Sequence, residues 1–152
     1  MIIRWLLAAL HLVALPVGFT AIWERRQALR STPDVAGLAR VFRADTSWGL
    51  AAVVWIATGL LRAFGGYEKP SAYYLQNDLF LLKMTLLAAI LLLEIAPMVT
   101  LIRWRIVAAR GGVPDISRRG LFAKISTVQA VLILVMVAAA TGMARGFDLA
   151  LP

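Results

Sequence analysis

The chain has 152 residues, of which 61% are hydrophobic and 16% charged, with a mean hydropathy of +0.81. A soluble domain of this size has too little interior to hide so much apolar surface, and the apolar residues fall in blocks about as long as a bilayer is thick, which specifies an integral membrane protein. The chain has no cysteine, which excludes disulfides, thiolate metal sites, thiol nucleophiles and c-type haem attachment. The net charge of +8 would point to nucleic acid in a soluble protein, but here the Arg residues lie between the apolar blocks, where they set orientation and meet the headgroups of the bilayer.

Four blocks are expected to span the membrane, at roughly residues 5–23, 47–64, 79–101 and 125–144. The first begins like a signal peptide, with Arg4 before an apolar run. The run continues past Pro16 and Gly18 to Trp23, and Phe19-Thr20-Ala21 lacks the small residue expected two positions before a cleavage-site Ala, so it is read as a retained span. The connection after it carries Arg25, Arg26, Arg30, Arg40 and Arg43. Within it Pro33-Asp34 reads as a helix start, and Val35, Leu38 and Phe42 share a face, which suggests a short amphipathic helix lying in the headgroup region. After the second span, Gly65-Gly66-Tyr67-Glu68-Lys69-Pro70 is a turn, and Tyr73 and Tyr74 suit an interfacial belt. The third connection carries Arg103, Arg105, Arg110, Arg118, Arg119 and Lys124, broken by Gly111-Gly112 and Pro114-Asp115. The opposite borders hold Arg4, Arg62, Lys69 and Arg145. The positive-inside rule then places the first and third connections in the cytoplasm of a bacterial inner membrane and both termini outside. Gly142 and Gly146, preceded by Ala138, give the fourth span a small-residue edge that suits either a homodimer contact or packing within the bundle.

Polar residues inside apolar spans carry the functional signal. On the first span Arg4, Ala8, His11, Leu15, Gly18 and Ile22 form one stripe, with Gly18 expected to leave room beside the imidazole. On the second, Trp48, Ala51, Trp55, Thr58 and Arg62 keep a three-four spacing, as do Lys83, Leu87, Ile90, Glu94 and Pro97 on the third. Gln129, Met136 and Met143 recur every seven residues on the fourth. If these stripes face a common interior, His11, Thr58, Arg62, Asp78, Lys83, Met136 and Met143 crowd the outer half, while Glu94, Ser126, Thr127 and Gln129 gather in the inner half. Lys83 and Glu94 lie about 16 Å apart along the axis and cannot pair, so each needs its own partner.

A sole histidine facing such an interior suits a b-type haem. The metal would be ligated by His11, with Met136 at a similar depth as a second axial ligand and Arg62 and Lys83 holding carboxylates. The same residues also fit an anion site, or a proton relay from His11 to Glu94. The plainer assignments are a His that only bonds a neighbouring helix, a Lys83 that snorkels, an interfacial Arg62 and packing methionines.

Ala9-Leu10-His11, Trp55-x-x-Thr58-Gly59-x-x-Arg62, Glu68-Lys69-x-x-x-Tyr73-Tyr74, Phe80-x-x-Lys83 and Leu93-Glu94-x-x-Pro97-x-x-x-x-x-Arg103-Trp104-Arg105 together resemble the bacterial inner-membrane family known as domain of unknown function 2214, over nearly the whole chain. A more distant resemblance is to small helical membrane proteins of the CopD and HemJ type. In HemJ-type protoporphyrinogen oxidases a first-helix histidine and a third-helix lysine are associated with haem b and activity, roles that the resemblance would carry to His11 and Lys83. The sequence departs from that type at Glu68-Lys69 and Glu94-x-x-Pro97, and the lack of Cys with a single His makes copper handling a poor match.

The resulting expectation is an all-α membrane protein, an antiparallel bundle of four transmembrane helices in one domain over residues 1–152. It associates with haem b and acts as an oxidoreductase on a porphyrin or other lipid-accessible small molecule, with His11, Lys83 and Glu94 catalytic and His11, Thr58, Arg62, Lys83 and Met136 around the cofactor. A proton- or ion-coupled transporter, which four spans would require to dimerise, and a non-catalytic accessory membrane protein are the alternatives.

Overall fold

The computed structural model describes residues 1–31, 34 and 37–147. Its helices are α1 (Ile2–Ser31), α2 (Leu38–Phe64), the single-turn α3 (Ser71–Leu75), α4 (Asp78–Ala109) and α5 (Arg119–Ala144), and the described residues contain no strand. All but α3 are long and apolar enough to cross a membrane, with mean hydropathy of 2.0, 1.4, 2.3 and 2.1 in their most apolar stretches. Helix α1 packs between α2 and α5, and α4 closes on α5. The large aliphatic side chains left on the outside, such as Leu50, Val53, Leu92 and Leu134, are those that a lipid solvent accepts without cost.

Each expected span lies inside its helix, and each helix runs further at the same end of the bundle. Helices α1 and α4 continue past residues 23 and 101 to Ser31 and Ala109, while α2 and α5 begin at Leu38 and Arg119 rather than 47 and 125. The 32 residues of α4 amount to about 48 Å, against a hydrocarbon thickness of about 30 Å. The extra turns carry most of the Arg residues, and they have a core of their own made of Leu29, Leu38, Val41, Leu101, Trp104 and Phe122.

That layer corrects one expectation. Pro33 and Val35 of the proposed interfacial helix lie outside the described residues, but Leu38 and Phe42 belong to the first turns of α2, which continues unbroken to Phe64. Asp34 accepts a hydrogen bond from the Gly37 N–H at 3.1 Å just ahead of it, the kind of side-chain contact that starts a helix. Leu38 and Val41 are then buried among the other helices, 1% and 0% exposed, instead of facing headgroups. No Gly or Pro interrupts the chain between Leu38 and Trp48, so nothing separates the amphipathic turn from the span that follows.

Where the basic layer meets the apolar middle of the bundle, Arg25 of α1 is fully buried. Its guanidinium donates to both oxygens of Glu94 on α4 at 2.6 and 2.8 Å, to Asp45 Oδ1 on α2 at 3.0 Å, and to Gln129 Oε1 and Ser126 Oγ on α5 at 3.0 and 3.2 Å. One side chain thus ties all four long helices. Gln129 Nε2 donates in turn to Glu94 Oε2 at 2.8 Å and to the Ile90 carbonyl. Arg105 of α4 completes the set by donating to Asp45 Oδ2 at 2.8 Å, to the Phe42 carbonyl at 2.7 Å and to Thr46. Two arginines and two carboxylates balance, and the five N–H donors of Arg25 have acceptors in the fork geometry that guanidinium favours.

Small residues set how closely the helices approach. A Cβ on Gly18 would touch Trp48 and Ala51 at 3.4 Å, so Gly18 serves the α1–α2 contact and not the space beside His11. A Cβ on Gly142 would meet Leu79 of α4 at 3.3 Å, which places this part of the small-residue edge of α5 against its own bundle.

Removing one member of a buried, fully bonded charge network strands the others. Arg25→Met is therefore expected to destabilise the fold by about 3–5 kcal/mol, seen as a lowered unfolding midpoint in detergent. Combining it with Glu94→Gln should cost less than the two single effects together, because both act on one network. An Arg25→Met protein that melts with the wild type would show the network to be dispensable.

Candidate functional site

The bundle opens toward its other end, where a cavity of about 380 Å³ lies among all the helices. Its walls are His11, Leu12 and Leu15 of α1, Trp55, Gly59, Arg62 and Ala63 of α2, Glu68, Tyr74 of α3, Phe80 and Lys83 of α4, and Met136, Val137 and Ala140 with the last turns of α5. A narrow recess of about 30 Å³ adjoins it, bounded by His11, Gly59 and Met136 together with Ile56 and Leu60 of α2 and Lys83, Met84 and Leu87 of α4. The volume falls in the lower part of the range usual for small-molecule sites.

His11 is held by α2. Its Nδ1 lies 3.0 Å from the Trp55 carbonyl and 3.1 Å from Thr58 Oγ1. A carbonyl oxygen only accepts, and the Thr58 hydroxyl donates to the Val54 carbonyl at 2.7 Å, so both neighbours require a proton on Nδ1. In the neutral ring Nε2 is then the bare nitrogen, and it has no protein partner among the described residues. The ring is stacked on Trp55 with centroids 5.8 Å apart. It fits because residue 59 is glycine: a Cβ there would come within 3.0 Å of His11 Cε1. Gly59 therefore does for the imidazole what the sequence reading assigned to Gly18.

The cations of the cavity differ in state. Arg62 donates to Glu68 Oε1 at 2.6 Å in a pair that is partly exposed, and Tyr74 donates from its hydroxyl to Glu68 Oε2 at 3.4 Å. Burial of the Tyr74 hydroxyl, with Glu68 beside it, raises its pKa above the usual phenol value, which keeps it a donor. Lys69 lies over the Tyr73 ring, 3.7 Å from its centroid. Lys83 has no hydrogen bond or ion pair among the described residues. Thr58, Arg62, Lys83 and Met136 thus gather around His11 or its cavity as the stripes predicted, and Met136 is 2% exposed. Met143 joins them at the mouth. Glu94 does not, since it stands in the other half of the bundle, engaged by Arg25 and Gln129.

Ser126 and Gln129 gather at Glu94 as expected: Gln129 bonds it directly at 2.8 Å, and both accept from Arg25, whose charge alone places it in the first connection. Thr127 turns instead to Arg26, whose Nε donates to it at 2.8 Å. The signal for Arg25 was present: the stripe His11, Leu15, Gly18, Ile22 continues at the same spacing to Arg25 and Leu29. Asp45 precedes Trp48 by three on its stripe, and Arg105 lies two turns beyond Pro97.

No three His, Cys, Asp or Glu side chains among the described residues converge to hold a metal ion. What the cavity offers instead is one oriented imidazole nitrogen, a thioether, an uncommitted ammonium and apolar walls.

Because the chain has one histidine, the imidazole geometry is directly checkable. Nitrogen NMR of histidine-labelled protein is expected to show a bonded Nδ1–H and a bare Nε2. Gly59→Ala should displace the ring and shift the Nδ1–H signal, whereas Gly49→Ala, which meets nothing within 4 Å, should leave it in place. An unchanged spectrum in Gly59→Ala would mean that the ring is seated elsewhere.

A family model described as "Predicted membrane protein (DUF2214)" matches residues 3–148 of the chain. No curated protein and no solved structure shows a match.

Proposed function

We propose that this chain, which belongs to the DUF2214 family of membrane proteins, is a haem-b-binding protein that takes the cofactor into its open half through Nε2 of His11. The observation that carries this reading is the hydrogen bond from His11 Nδ1 to the Trp55 carbonyl at 3.0 Å. Histidines that ligate a metal almost always donate their other ring N–H to a carbonyl or carboxylate, which fixes the tautomer and the direction of the ligating nitrogen. A free metal ion would need several protein donors, whereas a haem brings four nitrogens of its own and asks the protein for one or two axial ligands. Of the residues that line the cavity, the imidazole of His11 and the thioether of Met136 would hold such a group. Lys83 is the uncommitted cation for one carboxylate, and Arg62 can offer a second position by sharing itself between Glu68 and the incoming group.

When bound, a b-type haem would supply one-electron redox chemistry. The chain's own share is to orient the imidazole through Trp55 and Thr58, hold carboxylates at Lys83 and Arg62, and keep the ring plane in apolar surroundings. A redox enzyme acting on a porphyrin or another lipid-accessible molecule is the activity that best suits this share. The bidentate contact between Arg25 and Glu94 favours a bracing role for Glu94 over a relay to His11. A transporter is less well supported, because a path through the bundle would have to pass the level at which Arg25 joins all four long helices. The charge asymmetry supports an orientation with the Arg-rich end in the cytoplasm of a bacterial inner membrane.

Protein produced with haem available and purified in mild detergent is expected to be coloured, with a Soret band that His11→Ala removes while the variant still elutes as a folded protein. A Met136→Leu variant should keep the colour and change the spectrum. A colourless wild type that takes up no added haemin would end this reading.

A further inference from the structure

Lys83 is the least explained charge in the molecule. It projects into a space walled by Leu15, Phe80, Ala140 and Met136, in the part of the chain expected to lie in hydrocarbon, and no group among the described residues pairs with it. Glu68, which also lines the cavity, is taken by Arg62 at 2.6 Å. Of the described residues that line the cavity, Arg62 and Lys83 are cationic and Glu68 anionic, which leaves one positive charge among them. A cation so placed is costly without an anion, and intramembrane ionisable residues without partners mark ligand paths.

The cavity also borders the side of the bundle. Leu12 of α1 and Val137 of α5 line it, yet they are 65% and 36% exposed on the outside of the bundle. The lining of the cavity thus reaches residues of α1 and α5 that are also exposed on the outer surface. On the basic side of these residues the two helices pack together, through Ala14, Ile133 and Met136.

We propose that the cavity is a docking site for the anionic head of a membrane-borne amphiphile, a carboxylate or phosphate on an apolar body, which enters from the bilayer between α1 and α5 and pairs with Lys83. The head meets the ammonium of Lys83, and the tail leaves past Leu12 and Val137 into lipid. This site uses the same cavity and the same ammonium as the haem reading, so the two occupants would compete for Lys83, but it does not need His11 and stands if no haem is bound.

The test uses the full chain in phosphatidylcholine vesicles, with dibromostearate as the probe and tryptophan emission as the signal. Trp55 lines the cavity, so the relevant quenching is the part that disappears in Trp55→Phe. That part is expected to saturate with the acid, to stay with Lys83→Arg, and to weaken about 10-fold or more with Lys83→Met, the loss of one charge-assisted contact. Gly49→Ala, whose added methyl would meet nothing within 4 Å, should leave it in place. The methyl ester of the same acid should quench poorly, and acetate or inorganic phosphate should not displace the acid. Equal quenching by the ester, or by Lys83→Met protein whose melting matches wild type, would overturn the proposal. Displacement by the small anions would overturn the membrane-borne source and identify a water-borne anion as the occupant.

Discussion

The burial of one guanidinium organises the rest of this molecule. Arg25 is taken wholly out of solvent, and a charge in that position is tolerable only if its donors are met and its charge is cancelled. Meeting them requires Asp45, Glu94, Ser126 and Gln129 to converge from three other helices. In lipid, apolar contact between helices is not driven by water, so polar networks and close packing must select the arrangement. The Arg25 network supplies that selection. It sets the relative depth of all four spans, since a slip of one turn by any helix would separate its acceptor from the guanidinium.

Two halves of different character follow from this constraint. On the basic side the helices run on past the expected spans and enclose a packed core around Trp104 and Phe122, whose rings meet edge to face. Arg105 and Arg26 add further ties between helices there. On the other side no comparable network joins the helices among the described residues, and all of them contribute to the walls of the cavity. A tightly tied end and an open end suit a protein that holds a small molecule: the first keeps the scaffold in register, and the second leaves room. The oriented imidazole and the unpaired ammonium both belong to the open half.

The histidine site shows how local chemistry follows from the packing. Trp55 contributes its ring as a stacking surface and its carbonyl as an acceptor, Thr58 contributes an oxygen turned toward the imidazole because its hydroxyl is spent on Val54, and Gly59 contributes the absence of a side chain. These residues lie within five positions of one another on α2. Each acts on a residue 44 to 48 positions away in the chain, taking His11 from Trp55 and Gly59 in turn, so their joint purpose has no expression in local sequence beyond the spacing itself.

The sequence by itself determined the class of the protein, the number and approximate extent of its spans, and the faces that point inward. Block length and hydropathy depend on transfer to lipid residue by residue, and the three-four spacing of Trp48, Trp55 and Thr58, or of Lys83, Ile90 and Glu94, is a property of one helix at a time. The same spacing leads on to Arg25 and Arg105, but one helix at a time shows no partner for them, and their charge then places them in the connections. Only the packed bundle makes α2 one helix from Leu38 to Phe64, sets Glu94 against Arg25 while Lys83 has no partner among the described residues, and gives Gly59 rather than Gly18 the task of making room for His11. The physical reason is common to all three. Whether a charge can be buried, a turn can be absorbed or a ring can fit depends on what a different helix presents at the same depth, and that alignment exists only once the bundle has formed.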